Sequence, residues 1–278
     1  MKKKNVLILV LVFILVFTAV IGASCGKKET KEDEIVIGVS PSPHADIVKQ
    51  VVEDLQKDGV KVTIKEYSDY VQPNIDLAEK EIDANFFQHI PYFEEFIAER
   101  DLKLSNLGGI HIEPMGIYSK NIKSLEELKD GDEVMIPNDT TNCGRALLLL
   151  QAQGLIKLGV DSVTATEKDV TENRLNLKFT ALEAAAIPTV YGDAAIAVIN
   201  GNYAIQHGLN PVKDALAIEG AESPYVNIIA VRTEELEAEK FQKLIAALQT
   251  EKVKKFIEET YDGSVVPAFT NAKGEKVD

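Results

Sequence analysis

Between Asp83 and Phe93 the chain reads Asp-Ala-Asn-Phe-Phe-Gln-His-Ile-Pro-Tyr-Phe, four aromatic rings and a histidine in eleven residues. Aromatic surface broken by a few polar groups suits the wall of a small-molecule site, and it equally suits a core strand that turns into a helix. A second stretch, Ile136 to Gln151, passes from an apolar run through Pro-Asn-Asp-Thr-Thr-Asn-Cys-Gly-Arg into Ala-Leu-Leu-Leu-Leu. Its polar run offers Thr141 and Asn142 as N-caps, which puts Arg145 in the first turn of a helix. A cation is unfavourable there unless it meets an anion, so Arg145 and the free backbone N–H groups suit a ligand carboxylate. The plainer alternative is an exposed arginine. Two asparagines complete the set. Asn200 follows the apolar run Ala194–Ile199 and is either a turn residue or a partner for a polar head group. Asn227 interrupts the apolar run Tyr225–Val231, so its amide requires either backbone or ligand as partner.

The same residues argue against catalysis. His44, His89, His111 and His207 are scattered along the chain, and neither HExxH, a cysteine-rich spacing nor Gly-Xaa-Ser-Xaa-Gly occurs. The expectation is a binding protein and not an enzyme, with no cofactor and no metal site. A metal-binding importer component and an enzyme stay as remote alternatives. Cys143 reads as a small buried side chain.

The elements that must position these groups alternate. Ile35–Val39 is a buried strand, Ile47 to Leu55 an amphipathic helix ending near Gly59, and Val60–Ile64 a strand of period two. Strand, helix, strand with short links predicts a parallel βαβ unit. Further strands are expected at Ala84–Phe87, Ile110–Ser119, Val134–Ile136, Leu177–Phe179, Ala194–Ile199, Ala215–Ile218 and Tyr225–Val231. Helices are expected from Pro91, at Leu125–Leu128, through Leu147–Leu150, over Ala181 to Ile187 and, at the end, over Glu234–Gln249 and Val253–Tyr261. Alternation makes Phe87 face a site while Phe86 turns into the core. Such α/β folds bind ligands at strand ends.

The N-terminus is an address. Three lysines precede an apolar run from Val6, and Gly22-Ala23-Ser24 then leads to Cys25. Residues 1–24 read as a signal peptide and 25–34 as a flexible tether; the small residues ending on Cys25 resemble a bacterial lipobox, which implies that Cys25 is the lipidation site. The run is marginal for a membrane span of ~30 Å. The formal charge of −14 becomes −17 without those lysines, which argues against nucleic acid as a partner.

Four motifs, Asp-Ala-Asn-Phe-Phe-Gln-His-Ile-Pro-Tyr, Pro-Asn-Asp-Thr-Thr-Asn-Cys-Gly-Arg, Val-Ile-Asn-Gly-Asn-Tyr-Ala and Ser-Pro-Tyr-Val-Asn, resemble in order and spacing the methionine-binding lipoproteins of bacterial ABC importers, the NlpA family. Gly22 stands where the lipobox usually has Leu, and Thr140 where many relatives have Pro. The resemblance implies an α/β, two-lobed periplasmic-binding-protein fold (type II-like) with ligand in the interlobe cleft. Lobe 1 would be residues 35–113 plus 228–278, and lobe 2 residues 114–227. It implies Tyr70, Phe87, His89 and Tyr92 around the ligand side chain, Arg145 on the carboxylate, and Asn200 and Asn227 on the head group. It further implies L-methionine as ligand, or another amino acid or a methionine-containing dipeptide. The implied partners are an ABC permease with its ATPase, and a bilayer gripped through an acyl (palmitoyl) group at Cys25. The implied place is the extracytoplasmic face of the cell membrane.

Overall fold

The computed structural model describes residues 33–220 and 223–277. In chain order its strands are β1 (Asp33–Val39), β2 (Val60–Glu66), β3 (Ala84–His89), β4 (Leu104–Ile112), β5 (Gly116–Tyr118), β6 (Glu133–Pro137), β7 (Lys157–Leu158) and β8 (Val170–Glu172). They continue as β9 (Lys178–Leu182), β10 (Ile196–Ile199), β11 (Ala217–Ile218), β12 (Val226–Arg232) and β13 (Val266–Thr270). Two larger sheets result, in the orders β13-β4-β12-β3-β1-β2 and β11-β5-β10-β6-β9, beside a small β7-β8 ribbon. The fold is mixed α/β. Among the described residues no helix is long and apolar enough to cross a membrane. Cys25 and the leader lie outside the described residues, whereas Asp33 and Glu34, expected in the tether, already belong to β1.

β1 runs parallel to both β2 and β3, as the βαβ pattern requires. The sheet as a whole is mixed, because β12 returns antiparallel between β3 and β4. One face of this sheet packs Ile35, Ile37, Phe86 and Ile229 against Phe241, Leu244, Val253 and Ile257 of the helices Glu239–Leu248 and Glu251–Tyr261. The second sheet encloses Val134, Ile136, Ile196 and Val198 with Leu147 and Leu150 of the helix Thr140–Ala152.

Three expectations need correcting. The run Ile110–Ser119 is two strands in different sheets, since Glu113-Pro114-Met115 carries the chain from β4 across to β5. Proline cannot donate to a ladder and ends the first strand. The return crossing lies after Ile218, so Val226 and Asn227, expected in lobe 2, belong to β12 in the first sheet. The helix expected over Ala181 to Ile187 is instead the end of β9 followed by a short helix, Ile187–Val190.

Candidate functional site

The helix Thr140–Ala152 begins two to three residues earlier than expected. Asp139 is its N-cap and accepts the Asn142 N–H at 3.0 Å, so Arg145 sits in the second turn, beyond the free N–H groups. Its guanidinium is 3% exposed, not a surface group. It donates through Nε (2.9 Å) and Nη2 (2.5 Å) to the two carboxylate oxygens of Glu219, and through Nη2 to the Glu113 carbonyl at 2.8 Å. Its plane lies 4.1 Å over the Tyr225 ring. Burial opposes the charge, but Glu219 outweighs it and raises the arginine's pKa further. Nη1 makes no hydrogen bond among the described residues, so that edge is the one available to a ligand carboxylate.

Across from Arg145 stands an aromatic wall. β3 passes straight into the helix Ile90–Arg100, with Pro91 in its first turn, as the sequence led us to expect. His89 is that helix's N-cap: its Nδ1 accepts the Tyr92 N–H at 3.1 Å. This leaves Nε2 to carry the proton and to donate to Asn142 Oδ1 at 3.1 Å. Burial, then the nearby Arg145, lowers the His89 pKa to about 3, so the ring is neutral. Tyr70, Phe87 and Tyr92 meet one another at ring-centroid separations of 5.9 to 6.2 Å. The Tyr92 hydroxyl donates to the Tyr70 carbonyl (2.8 Å), and the Tyr70 hydroxyl to Asn202 Oδ1 (2.6 Å). Phe86, the alternate residue, is fully buried in the main core.

A web of amides links the two sides. Asn142 Oδ1 accepts from His89 Nε2 on the first sheet and from Asn200 Nδ2 (2.7 Å) at the end of β10. Its own Nδ2 donates to both oxygens of Asp139, at 2.9 and 3.1 Å. Asn227 pairs with a side chain not foreseen for it, His44 Nε2 at 3.0 Å. Asn200 Oδ1 and Asn202 Nδ2 are buried yet unpartnered among the described residues. Such atoms are costly to leave so, and they mark the place where a polar ligand would be received.

Together these groups line one small cavity that opens to solvent. All seven residues the sequence named, Tyr70, Phe87, His89, Tyr92, Arg145, Asn200 and Asn227, are on its wall. Gln88, Glu113, Asn142, Gly201 and Asn202 share it and were not foreseen. The four histidines are less scattered than the sequence suggests, since His44 and His111 meet at Glu113. These three are the one group among the described residues with the types to hold a cation. The 2.8 Å between His111 Nε2 and Glu113 Oε1 is a hydrogen-bond distance; two ligands on a tetrahedral zinc at about 2.1 Å stand further apart. Cys143 is half-buried, and burial raises its thiol pKa to about 11.

The family model described as NlpA lipoprotein matches residues 35–269. The chain belongs to the NlpA lipoprotein family. Its relatives include the methionine-binding lipoprotein MetQ of Bacillus subtilis, 44% identical over 96% of this chain and 99% of that protein. The D-methionine-binding lipoprotein MetQ of Escherichia coli K12 is 43% identical over 88% of this chain and 92% of its own length. Among solved structures, a nutrient-binding protein from Burkholderia cenocepacia bound to methionine superposes with a TM-score of 0.80 at 43% identity, covering 84% of this chain and 99% of that one. These NlpA relatives share the mixed α/β, two-sheet architecture with this chain.

Proposed function

We propose that this protein is the extracytoplasmic substrate-binding lipoprotein of an ABC-type amino acid importer, and that its cleft takes methionine. The observation that carries the reading is the cavity's division of labour. An arginine edge, two buried amide atoms without partners among the described residues and a set of uncharged aromatic rings line the same cavity. Arg145 holds the carboxylate, Asn200 and Asn227 hold the head group, and Tyr70, Phe87, His89 and Tyr92 enclose the thioether. Sulfur gains about 0.3–1.5 kcal/mol from each aromatic contact. Methionine has about nine heavy atoms, and a ceiling of about −1.5 kcal/mol per atom permits nanomolar affinity. His89, neutral and with both nitrogens engaged, serves as wall and donor, and no group here is arranged as a nucleophile with its base.

The two sheets serve as two lobes, one formed by the chain up to Ile112 and from Val226, the other by the segment between. Cys25 carries the lipid anchor, and an ABC permease with its ATPase receives the ligand. Mass spectrometry of ligand retained through purification, followed by calorimetry with L-methionine on the emptied protein, tests the reading. Methionine recovered and rebound supports it; tight binding of another ligand with no response to methionine would overturn it. Cys25→Ser is expected to release the protein from the membrane fraction and abolish acyl labelling.

A further inference from the structure

Glu113 is a buried carboxylate in the cavity wall for which the head-group reading has no use. It sits where the chain crosses from β4 to β5 and is 5% exposed. Its Oε1 lies 2.8 Å from His111 Nε2 and 3.3 Å from His44 Nε2, and its Oε2 accepts the Asn202 N–H at 2.9 Å. His44 Nε2 also reaches Asn227 Oδ1. The Nδ1 atoms of both histidines lack partners among the described residues, so the bonding pattern puts the proton of each ring on Nε2. One ring N–H, from His111, and one backbone N–H, from Asn202, then converge on the carboxylate, while His44 lies close to it and spends its own N–H on Asn227. Gly201 makes this approach possible, because a Cβ there would lie 2.8 Å from the Glu113 Cβ and 3.3 Å from the Pro114 carbonyl.

The charge balance gives Glu113 its meaning. Arg145 is matched by Glu219, the amides are neutral, and burial keeps both histidines neutral, with pKa values lowered to about 4 for His44 and about 3 for His111. The tyrosines within its field, Tyr70, Tyr203 and Tyr261, are all shifted upward by burial and stay un-ionised. Burial raises the pKa of Glu113, and its two hydrogen-bond donors, His111 and Asn202, pull the other way. Oε2 accepts one bond and has capacity for another.

We propose that Glu113 is the specificity-determining residue for the ligand's positively charged amino group, with His44 and His111 as positioning residues that hold its carboxylate against Asn227 and the Asn200–Asn202 turn. The inference rests on the reading of the cleft as an amino acid site. A zwitterion would then meet an anion at one end of its head group and Arg145 at the other. The same molecule with a hydroxyl in place of the amino group would leave Glu113 buried and unmatched.

The test is calorimetry of the full chain with L-methionine and with its isosteric 2-hydroxy analogue. The wild-type protein is expected to prefer methionine by a hundredfold or more. Glu113→Gln keeps the shape and removes the charge; it is expected to lose at least tenfold for methionine and less than threefold for the hydroxy acid. Equal losses for the two ligands, or none, would overturn the proposal, since a merely structural residue does not distinguish them. A wild-type preference under threefold would overturn it without any variant. Should Glu113→Gln not fold, Glu113→Asp serves, because withdrawing the charge by one methylene is to lower the same ratio, and an unchanged ratio refutes the proposal. If the wild-type protein binds neither molecule, the amino acid reading itself falls; if it binds methionine and only the ratio fails to move, only the role of Glu113 falls.

Discussion

Arg145→Ala separates two roles that one side chain combines here. The guanidinium is buried against Glu219, whose side chain is only 13% exposed. Removing one partner of a buried ion pair leaves the other charge uncompensated and typically costs about 3–5 kcal/mol. At roughly 2–4 °C per kcal/mol for a domain of this size, the expected fall in Tm is on the order of 6–20 °C. Losing the ligand's counter-charge should weaken methionine binding by a similar free energy, about a hundredfold to several thousandfold. The two losses part company in Arg145→Met/Glu219→Gln, which removes both charges. Stability should then recover most of the way to wild type, because replacing a buried pair by groups of similar volume is often neutral. Affinity should not recover, because the carboxylate still finds no cation. Denaturant unfolding and calorimetry on the three proteins measure both axes. A double variant that binds methionine like the wild type would refute Arg145 as the carboxylate ligand. A single variant of undiminished stability would refute the buried pair.

Adjacent phenylalanines give a second contrast. Phe86→Ala should cost about 3–5 kcal/mol of stability from the main core, whereas Phe87→Leu should leave stability within about 1.5 kcal/mol and weaken methionine binding; the reverse pattern would mean the strand faces were misassigned. Asp139→Ala removes the N-cap and the partner of Asn142, so about 1 kcal/mol of stability should go together with part of the affinity, as unfolding and calorimetry in parallel will show. The buried histidines also set a pH dependence. His44, His89 and His111 have folded-state pKa values of about 4, 3 and 3 against 6.5, so the unfolded chain takes up protons first as pH falls below 6.5. Each contributes stability that is full above pH 6.5 and declines by about 1.4 kcal/mol per pH unit down towards its folded value. The raised pKa values of Glu113 and Asp139 act in the opposite sense; a midpoint of urea unfolding lower at pH 5 than at pH 7 is the outcome the three neutral histidines predict, and a flat or rising profile contradicts their dominance.

How much of this was legible depends on the range of the contact. The strand-to-helix passage at His89–Pro91 and the inward and outward faces of Phe86 and Phe87 follow from local pattern, and the structure has them as the sequence reads. The identities of Arg145, Asn200 and Asn227 as site candidates rested partly on resemblance, because nothing local tells a turn asparagine from a ligand. β13 escaped notice because Pro267 sits inside it; it is an edge strand, where a missing N–H does no harm. Glu113 escaped because the apolar run continues on both sides of it, although Pro114 was a signal that the strand stops there. Glu219 and the pair His44–His111 had no signal at all. Glu219 lies 74 residues from Arg145, and His44 meets His111 only because β1 and β4 fall in one sheet, so neither meeting is visible in the local pattern.

The crossing of the chain between two sheets explains why the polar half of the site is built mainly from amides. Asn142 joins His89 to Asn200, and Glu113 joins His111 and His44 to Asn202, so each links the first sheet to the second through a side chain able to bond on more than one edge. Ion pairs in those places would fix the two sheets with charges that a neutral zwitterion could not displace without a large desolvation penalty. Amide bonds contribute only about 0.5–1.5 kcal/mol net each, so a ligand head group that offers matching donors and acceptors can exchange for them at small cost. The one strong pair in the wall, Arg145 with Glu219, uses Nε and Nη2 and keeps Nη1 apart. On the proposed reading the arginine would be oriented before a carboxylate arrives, and the ligand would not have to displace Glu219 to reach it.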